Sequence, residues 1–333
     1  YPPDPASLDS CTIGGNIAEN AGGARTVKYG TTKRYVYGLE VVLPTGEIIR
    51  TGGKLVKNVV GYNLGDLFVG SEGTLGIFTK AILRLLPKPK YKIDLLMPFK
   101  TLEDASNTAI EILRSKILPT AIEFMEKRAI KTVEEYLGKK MPFGDEEAQI
   151  LIEIDGEDKD LLTKLYEELG EIALTHNAID VWVAEDVARQ RELWEARRSI
   201  SESLKSRGTV HHEDVVVPIS KITDLIKGTH SLESKYNLKI VCYGHIGDGN
   251  VHVNILQEDT PKPEWQKKIK QLVRELFELT IKLGGTISGE HGIGLAKKEY
   301  ISLAIEPEQI NLMKKLKKLF DPNNILNPGK IFD

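Results

Sequence analysis

GHIGDGNVHVN, residues 244–254, predicts a tight β-hairpin, because Asp248-Gly249 separates two runs of β-forming residues. With Asp248 and Gly249 as the two turn residues, His245 lies opposite His252 on one face of the hairpin. Directly opposed side chains have Cβ atoms about 4.5–5.5 Å apart. Two imidazoles at that separation can converge on one metal ion. The same register places Tyr243 opposite Asn254 on this face.

A second glycine-rich segment supplies an acid and another histidine. It reads GTISGEHGIG at residues 285–294. A carboxylate from Glu290 would complete a set of two histidines and one acid, which leaves open positions on Zn²⁺, the favoured ion, or on Mn²⁺ or iron. His291 would stand beside the metal as a general base. Histidines next to glycine are also typical of polar turns that bind nothing, so that interpretation stays open.

Other glycine clusters lie near the N-terminus and at residues 70–77. None of them has the G-x-G-x-x-G pattern between a strand and a helix, so a nicotinamide site of the usual kind is not supported. Backbone amides in such loops can still hold a pyrophosphate or a flavin ring. Tight turns in a β-rich domain explain the same glycines somewhat better.

Composition excludes several classes of protein. The 333 residues carry 45 basic and 48 acidic side chains, and this net charge of −3 argues against a nucleic-acid binder. With 29 glycines and 15 prolines, the chain is not of low complexity. No apolar stretch approaches the roughly 18 residues of a membrane span. Two cysteines are too few for a disulfide framework, which favours a reducing, cytoplasmic location.

The pattern of strands and helices predicts two regions. Residues 1–86 are glycine-rich with short strands, and the prolines at 87 and 89 mark a boundary. Beyond it, short strands alternate with helices, which favours an α+β fold with helices on one side of a sheet and leaves a parallel α/β sheet open. Within this region we predict a strand at residues 215–218 and a helix capped by Ser220.

Residues 2–30, 61–87, 244–254, 289–294 and 320–330 resemble the FAD-linked oxidases of the vanillyl-alcohol oxidase type. The branch that is most similar contains the glycolate oxidase D subunit, D-lactate dehydrogenase and D-2-hydroxyglutarate dehydrogenase. The resemblance implies that residues 1–88 are the second part of a two-part FAD-binding domain, whose first part is absent from the chain. Residues 89–333 would form an antiparallel-sheet substrate domain with helices on one side, and a tail from about residue 307 would return to the flavin domain.

The resemblance also implies roles for individual residues. FAD would be contacted by Thr12, Gly14, Gly15, Asn16, Glu72, Gly73, Ile77 and Asn327. A divalent metal would be bound by His245, His252 and Glu290, with His291 as the catalytic base. Substrate would be bound by Arg197, through its carboxylate, and by Ser201 and Asn254. His212 stands where the hydroxyglutarate branch has a lysine, which implies a small substrate without a distal carboxylate.

The predicted activity is flavin-dependent oxidation of a small D-2-hydroxy acid, such as lactate or glycolate, to the 2-oxo acid. Relatives pass electrons to an iron–sulfur subunit, an electron-transfer flavoprotein or a quinone, and the resemblance implies such a partner. A homo-oligomer and a location at the membrane periphery are both compatible with this expectation. One alternative is a fragment or subunit that needs a separate N-terminal piece to hold FAD. Others are a metal-dependent hydrolase and an interaction module whose basic face is formed by Lys314, Lys315, Lys317 and Lys318.

Overall fold

The computed structural model of the protein describes residues 1–332. Two compact units are present: Tyr1–Pro87 together with Ile287–Asp333, and Lys88–Thr286. The first unit therefore contains the chain from Ile287 onward. The resemblance implied that the chain rejoins this unit only from about residue 307. No helix within residues 1–332 is both long and apolar enough to cross a membrane.

Strands and helices are numbered in chain order. The strands are β1 (Val36–Val42), β2 (Ile48–Gly52), β3 (Ile77–Leu83), β4 (Tyr91–Phe99), β5 (Ala121–Glu126), β6 (Ala148–Gly156), β7 (Trp182–Ala184), β8 (Val210–Val216), β9 (Lys239–His245) and β10 (Asn250–Leu256). The helices are α1 (Ile13–Glu19), α2 (Thr26–Tyr29), α3 (Leu64–Phe68), α4 (Leu102–Arg114), α5 (Lys127–Leu137), α6 (Lys159–Thr175), α7 (Val187–Lys205), α8 (Ile222–Tyr236), α9 (Lys262–Lys282), α10 (Ile301–Ala304) and α11 (Pro307–Phe320).

The first unit is built on a three-stranded antiparallel sheet in the order β2-β1-β3. Its core includes Leu39 and Val41 of β1, Ile17 of α1 and Phe68 of α3. The ring of Phe68 meets the ring of Phe320, at the end of α11, edge to face with centroids 5.6 Å apart. The C-terminal helix is thus packed onto the same small core as the N-terminal sheet.

The second unit is built on a seven-stranded sheet in the order β7-β4-β6-β5-β9-β10-β8. Every strand pairing in it is antiparallel, so the α+β prediction is confirmed and the parallel α/β alternative is wrong. Helices α4, α6, α8 and α9 contact the sheet and one another, while α5 and α7 contact each other and also strands of this sheet. Local signals set the helix ends as predicted: Thr101 Oγ1 accepts the amide of Asp104 at the start of α4, and Gly138 ends α5 with φ of 65°.

Two local predictions in this unit are wrong. Strand β8 begins at Val210 rather than at residue 215, because pairing with β10 extends over the polar run from His211 to Asp214. Ser220 is not a helix cap. It lies in a 3-10 turn, Ile219–Lys221, and α8 begins after Lys221 without a side-chain cap. In both places tertiary contacts outweigh the local propensity of the residues.

Candidate functional site

The predicted hairpin is present, but its register differs from the prediction by two residues. His245 lies opposite Asn250, and His252 lies opposite Tyr243, because the loop contains residues 246–249 instead of a two-residue turn. Side chains alternate between faces with a period of two, so a shift of two residues leaves both histidines on the face originally predicted. They are diagonal neighbours, and long side chains span that distance.

The two imidazoles converge. His245 Nε2 and His252 Nε2 are 3.4 Å apart, and the rings are nearly perpendicular, with an interplanar angle of 84°. Both residues are buried, and the ring of Tyr243 lies against His252 with centroids 5.1 Å apart. Two ring nitrogens at this separation form one edge of the coordination shell of a metal such as Zn²⁺, whose bonds to nitrogen are about 2.0–2.1 Å long.

Glu123 in β5 connects this pair to the predicted substrate arginine. One carboxylate oxygen lies 2.7 Å from His245 Nδ1, and the other lies 2.5 Å from Arg197 Nη2. Glu123 is fully buried and Arg197 nearly so, with its guanidinium over the ring of Tyr243 at 4.8 Å. A carboxylate that accepts the Nδ1 proton leaves the Nε2 lone pair of His245 available to a metal.

The remaining predicted substrate residues of this unit flank the same face. Asn254 is fully buried, and its Oδ1 lies 2.5 Å from His212 Nδ1 on the neighbouring strand β8. The Asn254 amide nitrogen donates to the carbonyl of Val241 at 3.1 Å, which fixes the orientation of the side chain. Ser201 lies one turn beyond Arg197 on α7. The structure therefore brings His245, His252, Arg197 and Asn254 to one end of one sheet face.

In the first unit, Glu72 contacts two other segments: the one with Asn327, which the resemblance assigned to FAD as it did Glu72, and the loop that follows Glu290 and His291. Its carboxylate accepts the backbone amides of Ile293 and Gly294 at 2.8 and 2.7 Å, and its carbonyl accepts Asn327 Nδ2 at 2.7 Å. Gly73 has φ of 65°, and a Cβ on it would lie 2.9 Å from Asn327 Nδ2. Glu72, Gly73 and Asn327 are thus in contact, but the Glu72 carboxylate holds the loop that follows His291.

The other predicted site residues of this unit lie in and before α1, at the start of β3, and in the loop before Gly292. Thr12 caps α1 by accepting the amide of Gly15 at 3.0 Å, and a Cβ on Gly14 would meet no atom within 4 Å. Asn16 is buried in α1, and Ile77 is exposed at the start of β3. Glu290 and His291 lie side by side, with His291 Nε2 3.8 Å from Glu290 Oε1 and the His291 side chain 49% exposed.

One acid in this unit, Glu19, has a perturbed pKa. Burial, and then the charge of Glu72, raise the pKa of Glu19 to about 7. Both carboxylates surround Gly292, where a Cβ would lie 2.6 Å from Glu19 Oε2 and 2.8 Å from Glu72 Oε1. With φ of 74°, Gly292 is a position at which only glycine fits without strain.

Sequence reasoning missed Glu123, although a signal for it exists. The strand AIEFME (Ala121–Glu126) places one acid between apolar residues in the middle of a buried β-strand. Buried carboxylates are rare unless they are paired, so such an acid indicates a partner cation or a ligand. The proposed basic face of α11 is in part wrong: Lys317 is largely buried and donates to the carbonyls of Thr74 and Leu326.

Comparison with known proteins identifies what these units are similar to. The family described as FAD linked oxidases, C-terminal domain, matches this chain over residues 88–331. The family described as FAD binding domain matches it over residues 1–52. Glycolate oxidase subunit GlcD of Bacillus subtilis (strain 168) is 44% identical over 333 residues, which cover 100% of this chain and 70% of that protein. D-lactate dehydrogenase of Anaerostipes hadrus is 40% identical over 337 residues, which cover 99% of this chain and 71% of that protein.

Among solved structures, 4-ethylphenol oxidase from Gulosibacter chungangensis has the same fold. It superposes with a TM-score of 0.74 at 19% identity, over 99% of this chain and 71% of the other.

Proposed function

Because the chain belongs to the FAD-linked oxidase family, we propose that it oxidises a small D-2-hydroxy acid of the lactate or glycolate class to the 2-oxo acid, with FAD as cofactor. The observation that carries the proposal is the buried chain His252–His245–Glu123–Arg197. It combines two convergent imidazoles, which are suitable ligands for a metal, with a guanidinium suited to a carboxylate. A 2-hydroxy acid has a hydroxyl and a carboxylate on adjacent carbons. Its hydroxyl could therefore bind a cation held by the imidazoles while its carboxylate binds the guanidinium.

In this proposal the cation ligands are His245, His252 and Glu290. The residues fit a divalent ion because the two Nε2 atoms converge and Glu123 fixes the ring of His245 from behind. Zn²⁺ suits imidazole and carboxylate donors, and Mn²⁺ or iron would also be held by them. A cation bound there would supply Lewis-acid polarisation of the substrate hydroxyl.

Arg197 is proposed to orient the substrate through its carboxylate. The guanidinium has five N–H donors, and one of its nitrogens faces Glu123. Its buried Nε has no hydrogen-bond partner within residues 1–332. A buried donor without an acceptor is costly, and a bound carboxylate would satisfy it. Asn254 and Ser201 complete the substrate side in this proposal.

His291 is proposed as the base that takes the proton of the 2-hydroxyl, and its half-exposed ring can pass that proton on to solvent. FAD, when bound, would accept the hydride from the substrate Cα. The residues proposed to hold it are Thr12, Gly14, Gly15, Asn16, Glu72, Gly73, Ile77 and Asn327. Three of these, Glu72, Gly73 and Asn327, already contact one another.

The size of the substrate is inferred from His212. Its Nδ1 is engaged by Asn254 Oδ1, so this side chain is held against β10 and does not extend as a lysine ammonium would. A second, distal carboxylate would therefore lack a strong cationic partner at this position. Reoxidation of FAD would require an electron acceptor, and the resemblance implies an iron–sulfur subunit, an electron-transfer flavoprotein or a quinone in that role.

The test is anaerobic reduction of the FAD-loaded protein, followed by absorbance. D-lactate or glycolate should bleach the flavin, whereas L-lactate and D-2-hydroxyglutarate should be much slower. Arg197→Lys should raise KM about tenfold, because a point charge replaces a two-pronged donor. The matched control is Arg198→Lys, whose guanidinium lies over the ring of Trp194.

Flavin that stays oxidised with every D-2-hydroxy acid would refute the proposed activity. A chain that takes up no FAD would instead support the alternative in which a separate N-terminal piece completes the flavin site.

A further inference from the structure

A second cluster of metal-ligand side chains lies on the opposite face of the large sheet. It comprises Glu126 at the end of β5, Cys242 in β9 and His230 in α8, and their ligand atoms lie within 4.8 Å of one another. Met125 and Tyr243 are paired across β5 and β9 on the histidine face, so their chain neighbours Glu126 and Cys242 point to the other side. This cluster is therefore separated from the His245–His252 pair by the sheet itself.

Hydrogen bonds hold the carboxylate of Glu126 between the backbone of Cys242 and the ring of His230. Glu126 Oε1 accepts the backbone amide of Cys242 at 2.7 Å, and Glu126 Oε2 lies 3.2 Å from His230 Nε2. The first contact fixes the carboxylate, as outer-shell hydrogen bonds do at metal sites. The second distance matches the separation of two ligands on one tetrahedral ion with bonds of about 2.0–2.2 Å.

The cluster is also accessible. A cavity of about 320 Å³ borders Glu126 and His230, and the side chain of His230 is 39% exposed. Four basic side chains line the cavity, those of Lys100, Lys127, Arg128 and Lys227. Three of them pair with acids: Lys127 with Glu147, Arg128 with Glu233 and Lys227 with Glu103. A cation can thus enter from the cavity, and there is room for a water molecule as a fourth ligand.

We propose that Glu126, His230 and Cys242 bind one divalent cation of the Zn²⁺ class, at a site distinct from the proposed catalytic centre. A thiolate, an imidazole and a carboxylate are the donors that Zn²⁺ accepts, and three protein ligands plus water is a common arrangement. Glu126 and the thiolate together neutralise the two positive charges. The cation would fasten α8 to β5 and β9 and so stabilise the second unit.

Without a cation, the same residues form a simpler arrangement. The hydrogen bond from Glu126 raises the pKa of His230, and burial followed by the charge of Glu126 raises that of the Cys242 thiol. In that state burial favours the neutral form of the Cys242 thiol, and Glu126 favours the charged form of His230. A thiolate signal at neutral pH therefore distinguishes the metal site from the ion pair.

The experiment is titration of the reduced, purified chain with Co²⁺, which gives a thiolate-to-cobalt charge-transfer absorption only when a cysteine binds the ion. The wild type should develop this band, and Zn²⁺ should displace it. Cys242→Ser and His230→Gln should each abolish the band. The matched control is Cys11→Ser, which removes the only other cysteine and should leave the band unchanged.

A double variant, His245→Ala with His252→Ala, separates this proposal from the proposed activity. It should lose the activity and retain the thiolate band. In this double variant, saturating Zn²⁺ should also raise the melting temperature by about 3 °C or more, and this increase should disappear when His230→Gln is added. The proposal is overturned if folded wild-type protein gives no thiolate band with excess Co²⁺, or if the band persists in Cys242→Ser.

Discussion

Replacing Glu123 with glutamine would remove one charge from the centre of the candidate site and preserve its volume. The wild-type carboxylate accepts from Arg197 on one oxygen and from His245 on the other, and it is fully buried. The amide keeps one acceptor oxygen and gains a donor. In Glu123→Gln the positive charge of Arg197 therefore stays buried without a counter-charge, and the Nδ1 proton of His245 loses its acceptor.

The size of the effect follows from the burial of both partners. Removing one member of a buried ion pair typically costs about 3–5 kcal/mol. The glutamine oxygen can still accept from Arg197, so we expect a loss near the lower limit, about 3 kcal/mol of unfolding free energy. A second effect concerns the metal: without an acceptor at Nδ1, His245 no longer presents a fixed Nε2 lone pair, and affinity should fall about 10–100-fold.

Urea unfolding followed by circular dichroism measures the first effect. Competition with a chromophoric chelator measures Zn²⁺ affinity, in a Cys242→Ser background so that the second proposed cluster does not contribute. Glu153→Gln is the control, because this buried glutamate pairs with Lys92 at 2.9 Å and should affect stability alone.

A double-mutant cycle with Arg197→Gln should give a coupling energy of about 1–3 kcal/mol. The reasoning fails if Glu123→Gln costs under about 1 kcal/mol, as an exposed pair would, or if the two substitutions are additive.

Three further predictions concern stability. Burial raises the pKa of Asp94 to about 6 against the opposing effect of Lys92, so the folded state binds this proton more tightly than the unfolded state. The resulting stability is present below about pH 4 and is lost as the pH rises through 6. Asp94→Asn should therefore gain up to about 3 kcal/mol over the wild type at pH 8 and little at pH 4, in urea titrations at both pH values. Lys317→Met should cost about 3–5 kcal/mol in thermal unfolding, because it removes an ammonium that is paired with the buried Asp321 carboxylate and bonded to two carbonyls, whereas the exposed Lys314→Met should be neutral. Gly292→Ala should lower the melting temperature by several degrees, because of its positive φ and the two nearby carboxylates, and Gly14→Ala, with open space around it, should not.

Much of this protein can be inferred from short-range patterns. Asp248-Gly249 between two β-forming runs predicted the hairpin, and a period of two predicted that His245 and His252 share a face. Both are local properties of the backbone, so the sequence alone determines them. The paired motifs at residues 244–254 and 289–294 predicted the family, and the family matches over residues 88–331 and 1–52 confirm it. The individual site residues stay predictions.

The register of the hairpin was decided by the tertiary structure. The turn dipeptide alone permits a two-residue turn, but pairing of β10 with both β9 and β8 selects a loop of residues 246–249. A shift of two residues keeps every side chain on its face, so the hydrophobic pattern cannot distinguish the two registers.

The roles of Glu123 and Glu72 also required the fold. Glu123 lies 122 positions before His245, and Glu72 lies 221 positions before the amide of Ile293 that it accepts. No periodicity links residues so far apart, because their proximity depends on strand order and on the return of the chain to the first unit. The sequence thus determined that His245 and His252 share one face of the hairpin, and it supplied the residues that we propose for the chemistry. Folding decided which acids fix them in place, since a buried carboxylate is stable only beside the donors that the tertiary structure brings to it.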